Sequence, residues 1–101
     1  MSTRFKQELD KDARLQVLRT LASETSGKSS ARALIVALED SGHPPKSEDY
    51  VKQQLRHLSE VGGVTLFESG IHLLAEITRA GLDHVARRSV LEGVGRPQPG
   101  E

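Results

Sequence analysis

Ser47-Glu48-Asp49-Tyr50-Val51-Lys52-Gln53-Gln54-Leu55-Arg56-His57-Leu58-Ser59-Glu60-Val61-Gly62-Gly63 is the stretch whose reading decides the fold. It reads as one capped helix. Ser47 can accept from the free N–H groups of the first turn, Glu48 and Asp49 suit its positive end, and Gly62 or Gly63 can supply a left-handed stop. At about 100° per residue, Val51, Leu55 and Leu58 share a narrow apolar stripe, while Asp49, Lys52, Gln53, Arg56 and Glu60 lie opposite. The helix is therefore expected to dock on a core and to display a polar face.

On the N-terminal side, Ser41-Gly42-His43-Pro44-Pro45 separates this helix from another. Glycine supplies the turn, and the prolines cannot continue a helix. The preceding helix starts after a cap at Ser29 or Ser30 and runs to about Asp40, burying Ala31, Leu34, Ile35 and Leu38. Two helices joined by a tight Gly/Pro turn make a helix-turn-helix arrangement. Further upstream, Ser23 to Ser30 has the composition of a loop. Phe5 to Ala22 carries a helical pattern, with Leu9, Ala13, Val17 and Leu21 spaced by four and Leu15 and Leu18 beside them. Phe5 and Leu9 point away from Leu18 and Leu21, so they contact either a second subunit or the chain's own C-terminal helix or tail.

Past Gly63 the period changes to two. Val64 and Leu66 alternate with Thr65 and Phe67, and Ile71, Leu73, Ala75 and Ile77 alternate with His72, Leu74, Glu76 and Thr78. Glu68-Ser69-Gly70 separates these two strands as a short hairpin. Thr78 can cap a last helix, Arg79 to about Arg88, with Leu82, Val85 and Ala86 expected to be buried. The predicted class is α+β, mainly α: a winged helix-turn-helix domain over 1–88, with three helices, a two-stranded wing and a C-terminal helix. Residues 89–101 are expected to form an extended Gly/Pro-containing tail, packed through Val90, Leu91 and Val94 if it packs.

A chain of 101 residues is expected to form one domain. It contains no cysteine, which removes disulfides and thiolate metal sites and fits a reducing, cytoplasmic compartment. Its first residues run into charge without an apolar region, and no stretch is long enough to span a bilayer, so neither secretion nor a membrane is expected. Lys and Arg number fourteen, as do Asp and Glu. No whole-molecule field then attracts nucleic acid, and any contact with DNA must come from a local patch.

Four segments carry a resemblance: Asp12-Ala13-Arg14-Leu15-Gln16-Val17-Leu18-Arg19-Thr20-Leu21-Ala22, Leu38-Glu39-Asp40-Ser41-Gly42-His43, Ile77-Thr78-Arg79-Ala80-Gly81-Leu82-Asp83-His84-Val85-Ala86, and Gly93-Val94-Gly95-Arg96-Pro97-Gln98-Pro99. Together they resemble a family of small winged-helix proteins from Mu-like phages and prophages, most of which lack an assigned activity. The Gly-Val-x-Arg-Pro-x-Pro tail is the most specific part. His57 departs from the pattern, which has an aromatic residue, often tryptophan, before the leucine. The resemblance implies a phage or prophage origin and a place in the cytoplasm of a bacterial host.

In a helix-turn-helix docking mode, Gln53 is suited to adenine and Arg56 to guanine, with Lys52 on phosphate. Lys46, Ser47 and Arg32 add candidate phosphate contacts around the turn and the helix starts. The implied function is that of a DNA-binding, transcription-regulator-like protein reading the major groove of double-stranded DNA with helix 48–60. Asp49 and Glu60 offset the positive side chains of this face, and the wing carries Glu68 without Lys or Arg. The alternative is therefore a non-enzymatic module for protein–protein contact with a phage or host partner, in a regulatory or assembly complex. Phe5, Leu9, Leu82 and Val85 are candidate contacts of a homodimer, which suits either function.

No enzyme, cofactor or metal is implied. His43, His57, His72 and His84 are scattered and lack metal-binding spacing. His43 is expected in the turn, His72 on the outer face of a strand, and Asp83-His84 on the surface. The serines lack a nucleophile motif, and Gly27-Lys28-Ser29 lacks the upstream glycine of a phosphate loop. Arg87 and Arg88 suit the negative end of the last helix.

Overall fold

The computed structural model describes residues 3–98; Pro99, the last residue of the tail pattern, lies outside them. Among these residues the fold is α+β, with four helices and a three-stranded antiparallel sheet. In chain order the elements are α1 (Thr3–Ser23), β1 (Lys28–Ser30), α2 (Ala31–Asp40), α3 (Glu48–Glu60), β2 (Val64–Ser69), β3 (His72–Ile77) and α4 (Arg79–Val85). No helix among the described residues is long and apolar enough to cross a membrane.

The core forms around α1, which touches α2, α3, α4 and β3. Its buried residues, Ala13, Leu15, Val17, Leu18 and Leu21, cover more than half the helix circumference. Leu34 and Leu38 of α2 and Val51, Leu55 and Leu58 of α3 meet them, all at most 1% exposed. Burial of each such Leu or Val contributes about 1.5–3 kcal/mol. Between the core contacts, polar side chains of α1 hold neighbouring elements. Asp10 accepts from the Tyr50 hydroxyl at 2.5 Å, Asp12 meets Nε2 of His43 at 2.8 Å, and Arg14 donates to Gln54 Oε1 at 2.7 Å.

The expected caps form. The side chains of Ser30, Ser47 and Thr78 accept from Ala33, Tyr50 and Gly81, each three residues on, at 3.1 Å. His43 stands in the turn, as its neighbouring prolines suggest, but it is also buried against Asp12 and so fastens the turn to α1.

Five expectations are corrected. Ser23 to Ser30 is not all loop, because Lys28–Ser30 pairs with β3 in the register Lys28↔Glu76, Ser29↔Ala75 and Ser30↔Leu74. The sheet order is β1-β3-β2, and β3 lies between its two partners. Three polar residues have no apolar alternation to reveal them; their backbone pairing alone makes the strand.

The hairpin turn is displaced toward the C-terminus. Ser69 pairs with His72, leaving Gly70 and Ile71 as its two central residues. Gly70 has φ +62° and Ile71 does not have positive φ, the pattern of a type II′ hairpin. Ile71 therefore leaves the alternation of β3 and stands at the tip, 86% exposed.

α4 ends at Val85, not near Arg88. Arg87 takes the left-handed position (φ +65°) and the Arg88 N–H closes onto Asp83 O at 2.8 Å, which completes the helix end. The face of α4 also differs: Gly81 and His84 are buried, Val85 is half-buried, and Leu82 and Ala86 are exposed. Gly81 sits against the Gly63 carbonyl and the Ile77 side chain, where a Cβ would collide. This close approach turns the Gly81/His84 side inward, and Leu82 is one residue further round.

His84 is consequently a core residue, 1% exposed, and not a surface one. Its Nδ1 accepts from the Leu91 N–H at 2.9 Å, so Nε2 carries the proton and donates to Gly95 O at 2.7 Å. The segment after α4 is thus tied down. Leu91 and Val94 join the core, whereas Val90 is 57% exposed. Arg14 donates to Gly93 O at 2.7 Å, His57 meets Glu92 O at 3.1 Å, and the Gly95 N–H donates to Lys11 O at 2.9 Å. At His57 an imidazole occupies the position of the expected aromatic, and its ring nitrogen holds the tail.

Candidate nucleic-acid interface

Docking of α3 through Val51, Leu55 and Leu58 leaves Asp49, Gln53, Arg56 and Glu60 exposed and Lys52 half-buried. β2 follows after Val61-Gly62-Gly63, with Gly62 at φ +86°. The β2–β3 hairpin therefore lies beside α3, and a cleft of about 260 Å³ separates them. Lys52 and Arg56, one helical turn apart, line its helix side; Glu68, Ile71, His72 and Leu73 line its hairpin side.

The two cleft cations differ in their availability. Lys52 Nζ lies 3.3 Å from Glu48 Oε2, an i,i+4 pair that offsets part of its charge. Arg56 is exposed and makes no ion pair among the described residues. Its guanidinium can present two parallel donors to a planar or anionic acceptor.

The other candidate residues fall elsewhere. Lys46 and Gln53 border a second hollow with Leu9, Pro44 and Tyr50, between α1 and the start of α3. Lys46 Nζ stands 4.6 Å from the centre of the Tyr50 ring, so its charge is partly engaged by the aromatic face. Ser47 uses its hydroxyl as the cap of α3 while remaining exposed. Arg32 is exposed in the first turn of α2 and lines neither hollow. The structure thus brings Lys52 to Arg56 and Lys46 to Gln53, on adjoining sides of α3.

Tyr50 links this face to α1. Burial chiefly, then the hydrogen bond to Asp10 and the charge of its carboxylate, raise the phenol well above its ordinary range, while Arg14 acts in the opposite direction. Of the candidate dimer contacts, Phe5 is 51% and Leu82 39% exposed, while Leu9 and Val85 are half-buried. α1 packs on α4, but Leu9 faces the hollow beside α3.

Two features of this region escape a reading by periodicity. Ile71 belongs to the alternating set of β3, and only the glycine before it signals that the turn removes it from the strand. The Tyr50–Asp10 bond joins residues forty apart with no shared motif. Compared with family models, curated proteins and solved structures, the chain gives no significant match in any of the three.

Proposed function

We propose that this chain is a winged-helix module that binds double-stranded DNA, with α3 in the major groove and the β2–β3 hairpin as its wing. The observation that carries the reading is the pairing of Arg56 and Lys52 along one side of a docked helix, facing a projecting hairpin. A helix with a buried apolar stripe and an outward Gln/Arg face fits the major groove, and its flanking cations can meet phosphates. Arg56 reads guanine, Gln53 reads adenine, and Lys52, Lys46, Ser47 and Arg32 contact the backbone. The resemblance to small proteins of Mu-like phages belongs to the same proposal, as does a regulatory role in a bacterial cytoplasm, with two copies bound to two half-sites.

A second reading, a protein–protein module, draws on the pairing of Lys52 with Glu48 and the placement of Lys46 on Tyr50. Both leave fewer free cations for phosphate. Selection of bound fragments from random duplex, followed by affinity measurements on the selected site, separates the two. Arg56→Ala is expected to weaken the selected site by about 1–3 kcal/mol while leaving random duplex little changed. Lys52→Ala is expected to weaken both alike. Equal loss on both sequences from Arg56→Ala would remove its base-reading role, and recovery of no duplex would favour the protein partner.

A further inference from the structure

We infer that the hollow between the end of α4 and the tail is a binding site for a small phosphate monoester, gripped by Arg87 and Arg96. The site stands apart from the DNA reading, since none of its residues lines the cleft beside α3. The hollow holds about 220 Å³, with Arg87, Ser89, Val90, Arg96 and Pro97 around it and the buried His84 reaching it from the core. The cleft beside α3 contains Glu68 and the two hollows against α1 contain Asp10, whereas no carboxylate lines this one. Arg87 and Arg96 make no ion pair among the described residues, while Arg88 is drawn off to Asp83 at 3.1 Å. Two guanidiniums and a hydroxyl therefore border one small space without a counter-charge.

One residue fixes the backbone under both arginines. His84 O accepts from the Arg87 N–H at 3.1 Å, and the His84 ring donates at 2.7 Å to the carbonyl of Gly95, the residue before Arg96. Gly95 is held on its other side by its N–H on Lys11 O at 2.9 Å. Both side chains thus start from fixed points, which lowers the ordering cost of gripping a ligand. The last carbonyls of α4, those of Leu82, Asp83 and His84, already accept from backbone N–H groups, and this reduces their negative field at the hollow. Arg87 itself stands at φ +65°, whereas the five other described residues with positive φ are all glycine. Glycine is the usual residue just past a helix end, and arginine there is strained. Closure of the helix accounts for the backbone conformation but not for the side chain; a guanidinium at the hollow does. The donor set names the ligand class. A carboxylate's two oxygens satisfy one guanidinium fork, while the three of a phosphate monoester can meet two forks and the Ser89 hydroxyl. Val90, 57% exposed, and Pro97 offer an apolar wall to the organic part.

The test measures binding of phenyl phosphate, inorganic phosphate and benzoate to the full chain by calorimetry at fixed ionic strength. Phenyl phosphate is expected to bind more tightly than benzoate, and roughly fivefold more tightly than inorganic phosphate through the apolar wall. Arg96→Ala and Arg87→Gly should each weaken it by about tenfold or more. Arg87→Gly should also hold or raise the urea midpoint, because it relieves the left-handed backbone, so its lost binding is not a loss of fold. Arg4→Ala, exposed on α1 and lining none of the hollows, should leave binding unchanged. No binding of either phosphate at millimolar concentration, full affinity in Arg87→Gly and Arg96→Ala, or an equal loss in Arg4→Ala would overturn the site. Tighter binding of benzoate would overturn the phosphate class. Displacement of phenyl phosphate by a short duplex at matched ionic strength would assign these arginines to a DNA backbone and overturn a separate site.

Discussion

Tyr50 shows how one side chain couples the outer helix to the core. It is the only tyrosine, and the chain has no tryptophan, so phenolate absorbance reports on it alone. Its pKa is raised by burial first and by Asp10 second. The unfolded chain releases the phenol proton near pH 10, whereas the folded chain retains it. Folded protein therefore binds more protons above that point, and stability falls as pH rises. The expected result is a phenolate titration displaced above that of the denatured chain, with the urea midpoint declining from about pH 10 upward. Asp10→Asn removes the carboxylate charge but not the burial, and should move the titration only part of the way back. A native titration that overlays the denatured one would contradict the bond. In the sequence, Asp10 looks like an ordinary solvated helix residue and Tyr50 like a first-turn residue; only the fold makes them partners.

The segment from α4 to Gly95 behaves as one built element. His84 donates to Gly95 O, accepts from the Leu91 N–H, and fills space in the core. His84→Ala leaves both backbone groups without that partner and opens a void, for an expected loss of about 2–4 kcal/mol in urea unfolding. Removal of residues 90–98 should cost at least as much, because it strips Leu91 and Val94 from the core along with the bonds of Arg14 and His57. The two changes share contacts, so their combination should cost less than their sum. Strict additivity would mean that histidine and tail act independently. The limits of the sequence are visible here. Ser30, Ser47 and Thr78 could be read as caps, and Val51, Leu55 and Leu58 as a stripe, because local hydrogen bonding and helical periodicity dictate them. β1, the inward turn of α4 and the clasped tail rest on backbone pairing, on the close approach at Gly81 and on side chains bound to distant carbonyls. None of these leaves a period in the chain.

For the molecule as a whole, charge decides between partners. Fourteen cations balance fourteen anions, so binding to a polyanion must come from a few residues near α3. The polar face of α3 was legible in outline, since Lys52, Gln53 and Arg56 lie opposite the buried stripe. Their division between two hollows, the Lys52–Glu48 pair and the exposed tip at Ile71 depend on where the hairpin and α1 come to rest. The measurement that tests the central proposal most directly is the affinity of the full chain for duplex DNA as a function of salt. Each phosphate neutralised contributes a slope of roughly −0.9 in log K against log salt. With Arg32, Lys46 and Lys52 on phosphates, the expected slope lies between about −2 and −4, and Lys52→Ala should flatten it by about one. Binding that ignores salt, or no binding to any duplex at low salt, would contradict a DNA-binding winged helix.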